Sequence, residues 1–170
     1  MIITYMRTID NINDLEKSDF LSIFGNVFEK TESVALEVFA LKPFTDFNDI
    51  SLKMLNIYEG YGRDKILKIL NLHPELAVAK KLTSESKLEQ ASAKLNECSN
   101  DEYEEFKKLN LEYKKKFNFP FIIAVKGKDK NEILNNFRQR ISNDIEIEFL
   151  EAKKQVKKIA TFRLNKILNK

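Results

Sequence analysis

The sequence predicts an all-α fold, and three observations carry that expectation. Four Gly and three Pro in 170 residues are too few for hairpin-rich architectures, which spend such residues at nearly every turn. Apolar residues recur at the one-face spacing of a helix along most of the chain, and several of these stripes open on capping-box pairs. With 43% apolar and 32% charged residues the composition is that of a globular protein, which excludes a disordered or collagen-like chain. The expected architecture is a single domain over residues 1–170, a bundle of about seven or eight helices, with one short extended segment near Phe119 to Val125.

The elements follow in order. Phe20, Leu21, Phe24, Val27 and Phe28 share one helical face, with Ser18 placed to cap the first turn and an end near Lys30. After Thr31, the stripe Val34, Ala35, Val38 and Phe39 stops at Lys42, because Pro43 disfavours a helical residue before it. Ile50, Met54, Ile57, Tyr58 and Tyr61 form a third stripe, closed by Gly60 and Gly62. Ile66, Ile69 and Leu70 form a fourth, which runs into Leu72, His73 and Pro74.

Ser86 and Glu89 have capping-box spacing before Gln90, Ala91 and Leu95, as do Ser99 and Glu102 before Tyr103, Phe106 and Tyr113. FNFPFIIAV, from Phe117 to Val125, is a continuous apolar run around Pro120, too short for a typical helix and suited to a buried extended segment. Asp129 and Glu132 open a helix carrying Ile133, Phe137 and Ile141. Asn143 and Asp144 make a turn, and the last helix carries Ile145, Phe149, Ala152, Val156, Ile159, Ala160 and Ile167.

Several function classes are excluded. One Cys, Cys98, and one His, His73, cannot form an internal disulfide or complete a Cys/His zinc cage in one chain. No stretch approaches the roughly 18 apolar residues that span a bilayer, and the first residues mix Asp and Glu with apolar types, unlike a signal peptide. The C-terminal LNK is no peroxisomal address, so the expectation is a soluble cytoplasmic protein. A net charge of +3 from 29 basic and 26 acidic residues, mixed along the chain, gives no footprint for nucleic acid. The lysines at 114–116 and near the C-terminus read as solvated helix faces.

Within this frame a few residues stand out. His73 is the sole imidazole and lies where a helical stripe meets a proline, so its side chain is placed either for acid–base chemistry or simply at the negative end of a helix dipole. Arg163 follows Val156, Ile159 and Ala160 by seven, four and three residues, so it projects from the apolar stripe. There it requires a protein carboxylate or an anionic ligand, unless it snorkels to solvent at the end of the stripe. Glu89 and Gln90 are expected at a helix start, where free N–H groups favour an anion. On local pattern the capping box with Ser86 accounts for the type and position of Glu89, whereas Gln90 has no such local role. Cys98, in a polar turn, has nothing beside it to lower its pKa.

Read in order, LHPELA at His73, SKLEQ at Ser86, FPFIIAV at Phe119 and KKIATFRL around Arg163 resemble the 2-oxo-4-hydroxy-4-carboxy-5-ureidoimidazoline (OHCU) decarboxylase family. VFEKTESVA, KPF and NNFRQRISND extend the resemblance over nearly the whole chain. Two departures stand out: the family usually has Trp near Val34, and usually a Gly soon after the HPDL-type motif, where Ala77, Val78 and Ala79 stand here before a shorter connection to Ser86.

The resemblance implies an all-helical, cofactor-free and commonly homodimeric carboxy-lyase of uric acid degradation that yields (S)-allantoin, with no metal, nucleic-acid or membrane partner. It implies that His73 and Glu89 are catalytic. It further implies that Pro74, Ser86, Gln90, Arg163 and the backbone of Phe121, Ile122, Ile123, Ala124 and Val125 bind substrate. Two other readings stand beside it: a relative of the same fold with a shifted substrate, and a non-enzymatic helical interaction module.

Overall fold

A computed structural model describes residues 8–77 and 82–168. Of the loop after His73, Val78, Ala79 and the two lysines that follow therefore lie outside the described residues, as do the first seven residues and the last two. Among the described residues the chain is all-α, with no strand: nine α-helices and one 3-10 turn. Its Cα positions group into two compact units, one of Met1–Ile69 with Lys157–Lys170 and one of Leu70–Val156.

The first unit contains α1 (Ile9–Asn13), α2 (Lys17–Phe24), α3 (Glu32–Phe39), α4 (Phe47–Glu59) and most of α5 (Arg63–Leu72). The helical stripes fill its core: Phe20, Phe24, Val27, Phe28, Val34, Ala35, Val38, Ile50, Met54 and Tyr58 are all at most 1% exposed. Phe20 packs on Phe24 with ring centroids 4.6 Å apart, and Phe28 stacks on Tyr58 at 4.7 Å. Asn13 closes the turn before α4 by a reciprocal pair: Phe44 N–H donates to its Oδ1 at 2.7 Å and its Nδ2 donates to the Phe44 carbonyl at 2.9 Å.

Several expected boundaries move. Helix α1 was not anticipated, because five residues are too few to show a period; Thr8 caps it by accepting from Asn11 N–H. Ser18 is not a cap but lies inside α2, which Glu16 precedes without a side-chain capping bond. That helix ends at Phe24 rather than near Lys30, because Gly25 closes it and Lys30 takes a left-handed φ of 49°. Helices α3 and α4 match their stripes, with Gly60 terminating α4.

The second unit contains α6 (Ser84–Ser92), the 3-10 turn Leu95–Glu97, α7 (Asn100–Phe117), α8 (Lys130–Arg140) and the start of α9 (Ile145–Ile167). Both legs of the capping box form at Ser99–Glu102 and again at Asp129–Glu132. Between α7 and α8, residues 118–129 are not helical, and Phe119 and Phe121 to Val125 are each at most 6% exposed. Phe117, Phe119 and Phe121 all pack against the Tyr113 ring, at 4.5, 5.9 and 5.4 Å. The Phe117 contact is the helical pairing of residues four apart inside α7, whereas Phe119 and Phe121 bring the segment after the helix back onto the same ring.

Candidate active site

Helix α6 shows where the local reading fails. Its N-cap is Thr83, whose side chain accepts from Ser86 N–H at 3.3 Å. Ser86 is therefore the third helical residue and no cap, and the expected Ser86–Glu89 capping box does not form. For the same reason Glu89 and Gln90 lie in mid-helix, not at its start, so the open N–H groups belong to the turn before them.

The burial pattern of this helix is more informative than its cap. Ser86, Gln90 and Ala93 are 4%, 7% and 2% exposed, whereas Leu88 is 60% exposed. A helix that turns polar side chains inward and a leucine outward breaks the usual pattern, and such breaks concentrate at functional sites. Glu89, three residues from Ser86, is half-buried.

Gln90 acts on the residues just after His73. Its Oε1 accepts from Ala77 N–H at 3.1 Å and its Nε2 donates to the Glu75 carbonyl at 3.3 Å. Ala77 has a left-handed φ of 52°, which costs an L residue roughly 1–2 kcal/mol relative to glycine-compatible geometry. This is the stretch where the resembled family usually carries Gly, so the backbone shape matches a glycine position while the side chain is alanine. Gln90 thus has a local role that its position in the sequence did not reveal.

Helix α7 fastens the same strap along one face, at residues four apart. Asn110 Nδ2 donates to the Leu76 carbonyl at 3.0 Å and Lys114 Nζ meets Glu75 at 3.5 Å, while the carbonyl of Asn118, the residue that caps α7, accepts from Asn71 at the end of α5 at 3.1 Å. His73, at the end of α5, is 8% exposed and Pro74 half-buried. The imidazole is accordingly an interior side chain on a backbone secured on both sides, not a solvated helix-terminal one.

The Phe121 to Val125 backbone is held from α8 and α9. Arg140 donates from NH1 to the Ile122 carbonyl at 2.8 Å, and Gln155 Oε1 accepts from Ala124 N–H at 3.0 Å. Arg140 also pairs with Glu148, NH2 to Oε1 at 2.5 Å, and its guanidinium lies 4.5 Å from the Phe121 ring centre. Tyr113 donates its hydroxyl to the same carboxylate oxygen, and Asn143 Nδ2 donates to the other at 2.7 Å. Burial first, and then the Glu148 hydrogen bond, push the Tyr113 pKa far up, so the phenol stays a donor.

Arg163 lies in the first unit, 6% exposed. Its NH2 meets Glu29 Oε2 at 2.9 Å and its NH1 donates to the Asn26 carbonyl at 3.0 Å. Of the alternatives open in the sequence, a protein carboxylate is realised and snorkelling is excluded. Glu29, Arg140, Glu148, Gln155 and Asn110 were not singled out from sequence. Arg140 carried the same signal as Arg163, since Ile133 and Phe137 precede it by seven and three residues.

Cys98 is half-buried, with its thiol pKa raised by burial, as expected for an unreactive cysteine. Among the described residues no group of three His, Cys, Asp or Glu side chains is arranged to hold a metal ion, and no helix is long and apolar enough to cross a membrane.

The OHCU decarboxylase family model matches residues 13–165. The chain is 38% identical over 162 residues to a uric acid degradation bifunctional protein of Bacillus sp. (strain TB-90), covering 95% of this chain but 32% of that protein. It thus spans about a third of the length of that bifunctional relative. It is 33% identical to the 2-oxo-4-hydroxy-4-carboxy-5-ureidoimidazoline decarboxylase of Haloferax volcanii, over 92% of this chain and 94% of that one. Among solved structures it resembles the crystal structure of (S)-allantoin synthase, with TM-score 0.72 and 25% identity over 95% of this chain and 54% of that chain. The crystal structure of an OHCU decarboxylase in the presence of (S)-allantoin, at 22% identity and TM-score 0.70 over 91% of this chain and all of that one, shares the fold.

Proposed function

The chain belongs to the OHCU decarboxylase family, and from that premise we propose that it converts 2-oxo-4-hydroxy-4-carboxy-5-ureidoimidazoline to (S)-allantoin and CO₂ without a cofactor. The observation that carries the proposal is the family match across residues 13–165, which includes His73, Ser86, Glu89, Gln90, the Phe121 to Val125 segment and Arg163.

The substrate supplies the electron sink that many decarboxylases borrow from a cofactor. When the bond from C4 to the carboxylate breaks, its electron pair forms a C4=C5 bond and the former ring C=N nitrogen takes a proton. Loss of the 4-hydroxyl proton then makes the carbonyl, and delivery of a proton to one face of C5 fixes the handedness of allantoin. Buried His73 handles these protons, polarising the 4-hydroxyl or delivering the proton, while Glu89 fixes its tautomer or contacts the ureido group.

Pro74, Ser86, Gln90 and the 121–125 backbone bind the ring and ureido group. Arg163, oriented by Glu29 and the Asn26 carbonyl, recognises a substrate oxygen. Its main value is orientation, because a grip that stabilised the carboxylate equally in ground and transition states would not raise kcat. The protein acts in the cytoplasm as a homodimer.

The test generates the unstable substrate in situ from urate with the preceding oxidase and hydrolase and follows the optical activity of the allantoin formed. Faster formation of the S enantiomer with this protein is expected. Racemic product at the uncatalysed rate would refute the proposal.

A further inference from the structure

An irregular buried segment must place its peptide groups with side chains, because no helix or sheet ladder takes them. For Phe121 to Val125 the partners are Arg140 on the Ile122 carbonyl and Gln155 on the Ala124 N–H. These two peptide groups belong to residues two apart, in a stretch that forms neither helix nor strand. Side chains from α8 and α9 therefore fix the segment at the two residues that flank Ile123.

The anchor is built at unusual electrostatic cost. Arg140 and Glu148 are 9% and 0% exposed as side chains. A buried pair of this kind contributes little net stability relative to apolar side chains of the same volume. Yet four donors converge on Glu148: two guanidinium nitrogens of Arg140, Nε at 3.0 Å and Nη2 at 2.5 Å, Asn143 at 2.7 Å, and the Tyr113 hydroxyl. The carboxylate thereby fixes the plane of the guanidinium, which stacks on Phe121 and directs NH1 at the Ile122 carbonyl. Gln155 is likewise oriented, its Nε2 donating to Glu151 at 2.6 Å.

We propose that Arg140, oriented by Glu148, and Gln155 are positioning residues that set the peptide register of the 121–125 segment, so that the Ile123 peptide groups meet the ureidoimidazoline. This rests on the decarboxylase reading. Neither side chain touches substrate; each acts through the backbone it holds.

The test measures KM and kcat with substrate generated in situ for native protein, Arg140→Lys and Gln155→Leu, at a temperature where circular dichroism shows each folded. Arg140→Lys keeps the charge but loses the planar fork, and Gln155→Leu removes the acceptor of Ala124 N–H. Loss of one such hydrogen bond should raise KM about tenfold with a smaller change in kcat. Native KM and kcat in a folded variant, even with lowered thermal stability, would show a purely structural role and overturn the inference.

Hydrogen exchange on the native protein supplies an independent readout should a variant fail to fold. The Ala124 amide is expected to be strongly protected, and fast exchange there would overturn the anchoring. Absence of turnover by the native protein would instead sink the decarboxylase reading itself, and is read separately.

Discussion

Two ion pairs of equal length lead to opposite expectations. Arg163 and Glu29 meet at 2.9 Å with side chains 5% and 0% exposed, whereas Lys65 and Glu37 meet at 2.9 Å with side chains 43% and 46% exposed. In water the attraction is screened and long side chains lose freedom, so Glu37→Ala should cost about 0–1 kcal/mol. In the interior, removing one partner strands the other charge, and Glu29→Ala should cost about 3–5 kcal/mol. Glu29→Gln retains a hydrogen-bond acceptor and should lose only the charge-assisted part, about 1.5–3 kcal/mol.

Replacing both members, Glu29→Met with Arg163→Met, should recover most of that loss, because no charge is left buried. The assay is urea unfolding followed by far-UV circular dichroism, with the midpoint compared at unchanged m. A Glu29→Ala midpoint no lower than that of Glu37→Ala would refute the reasoning. The double variant also separates stability from chemistry, since it should fold yet bind substrate poorly.

Further outcomes are expected. His73→Ala should retain the helical spectrum and lose about 10²–10⁴-fold in kcat if the imidazole carries protons; near-native turnover by the folded variant would remove it from the mechanism. Ala77→Gly relieves the left-handed φ of 52° against the greater freedom of glycine when unfolded, so thermal denaturation should show a net gain of about 0.5 kcal/mol. Glu102 has its pKa lowered chiefly by the Lys130 hydrogen bond, and then by Ser99 N–H. Its stabilising effect is therefore complete above the ordinary value of 4.5 and is lost as pH falls through the depressed folded value. A Tm series in acid should accordingly fall more steeply for native protein than for Glu102→Gln, and parallel curves would count against the pair.

The helical stripes were legible because burial imposes a short period: Phe20 and Phe24, Ile50 and Met54, and Ile133 and Phe137 each announce a face within a few residues. The capping boxes at Ser99–Glu102 and Asp129–Glu132 were legible for the same reason, since both partners lie in one turn. The same spacing misled at Ser86–Glu89, where Thr83 three residues earlier takes the cap. A cap is a competition between nearby side chains, and spacing alone does not say which one wins.

Sequence by itself determined the all-α class, the approximate helices, the order of motifs that place the chain in its family, and the choice for Arg163 between a partner and snorkelling to solvent. Tertiary structure decided who the partners are: Glu29 for Arg163, 134 residues away; Gln90 and Asn110 for the strap after His73; Arg140 and Gln155 for the 121–125 backbone. The physical reason is one of range. Periodicity and capping follow from geometry repeated every turn, whereas the donor that satisfies a buried peptide group or charge is selected by packing between segments distant in the chain, and leaves no fixed spacing to read.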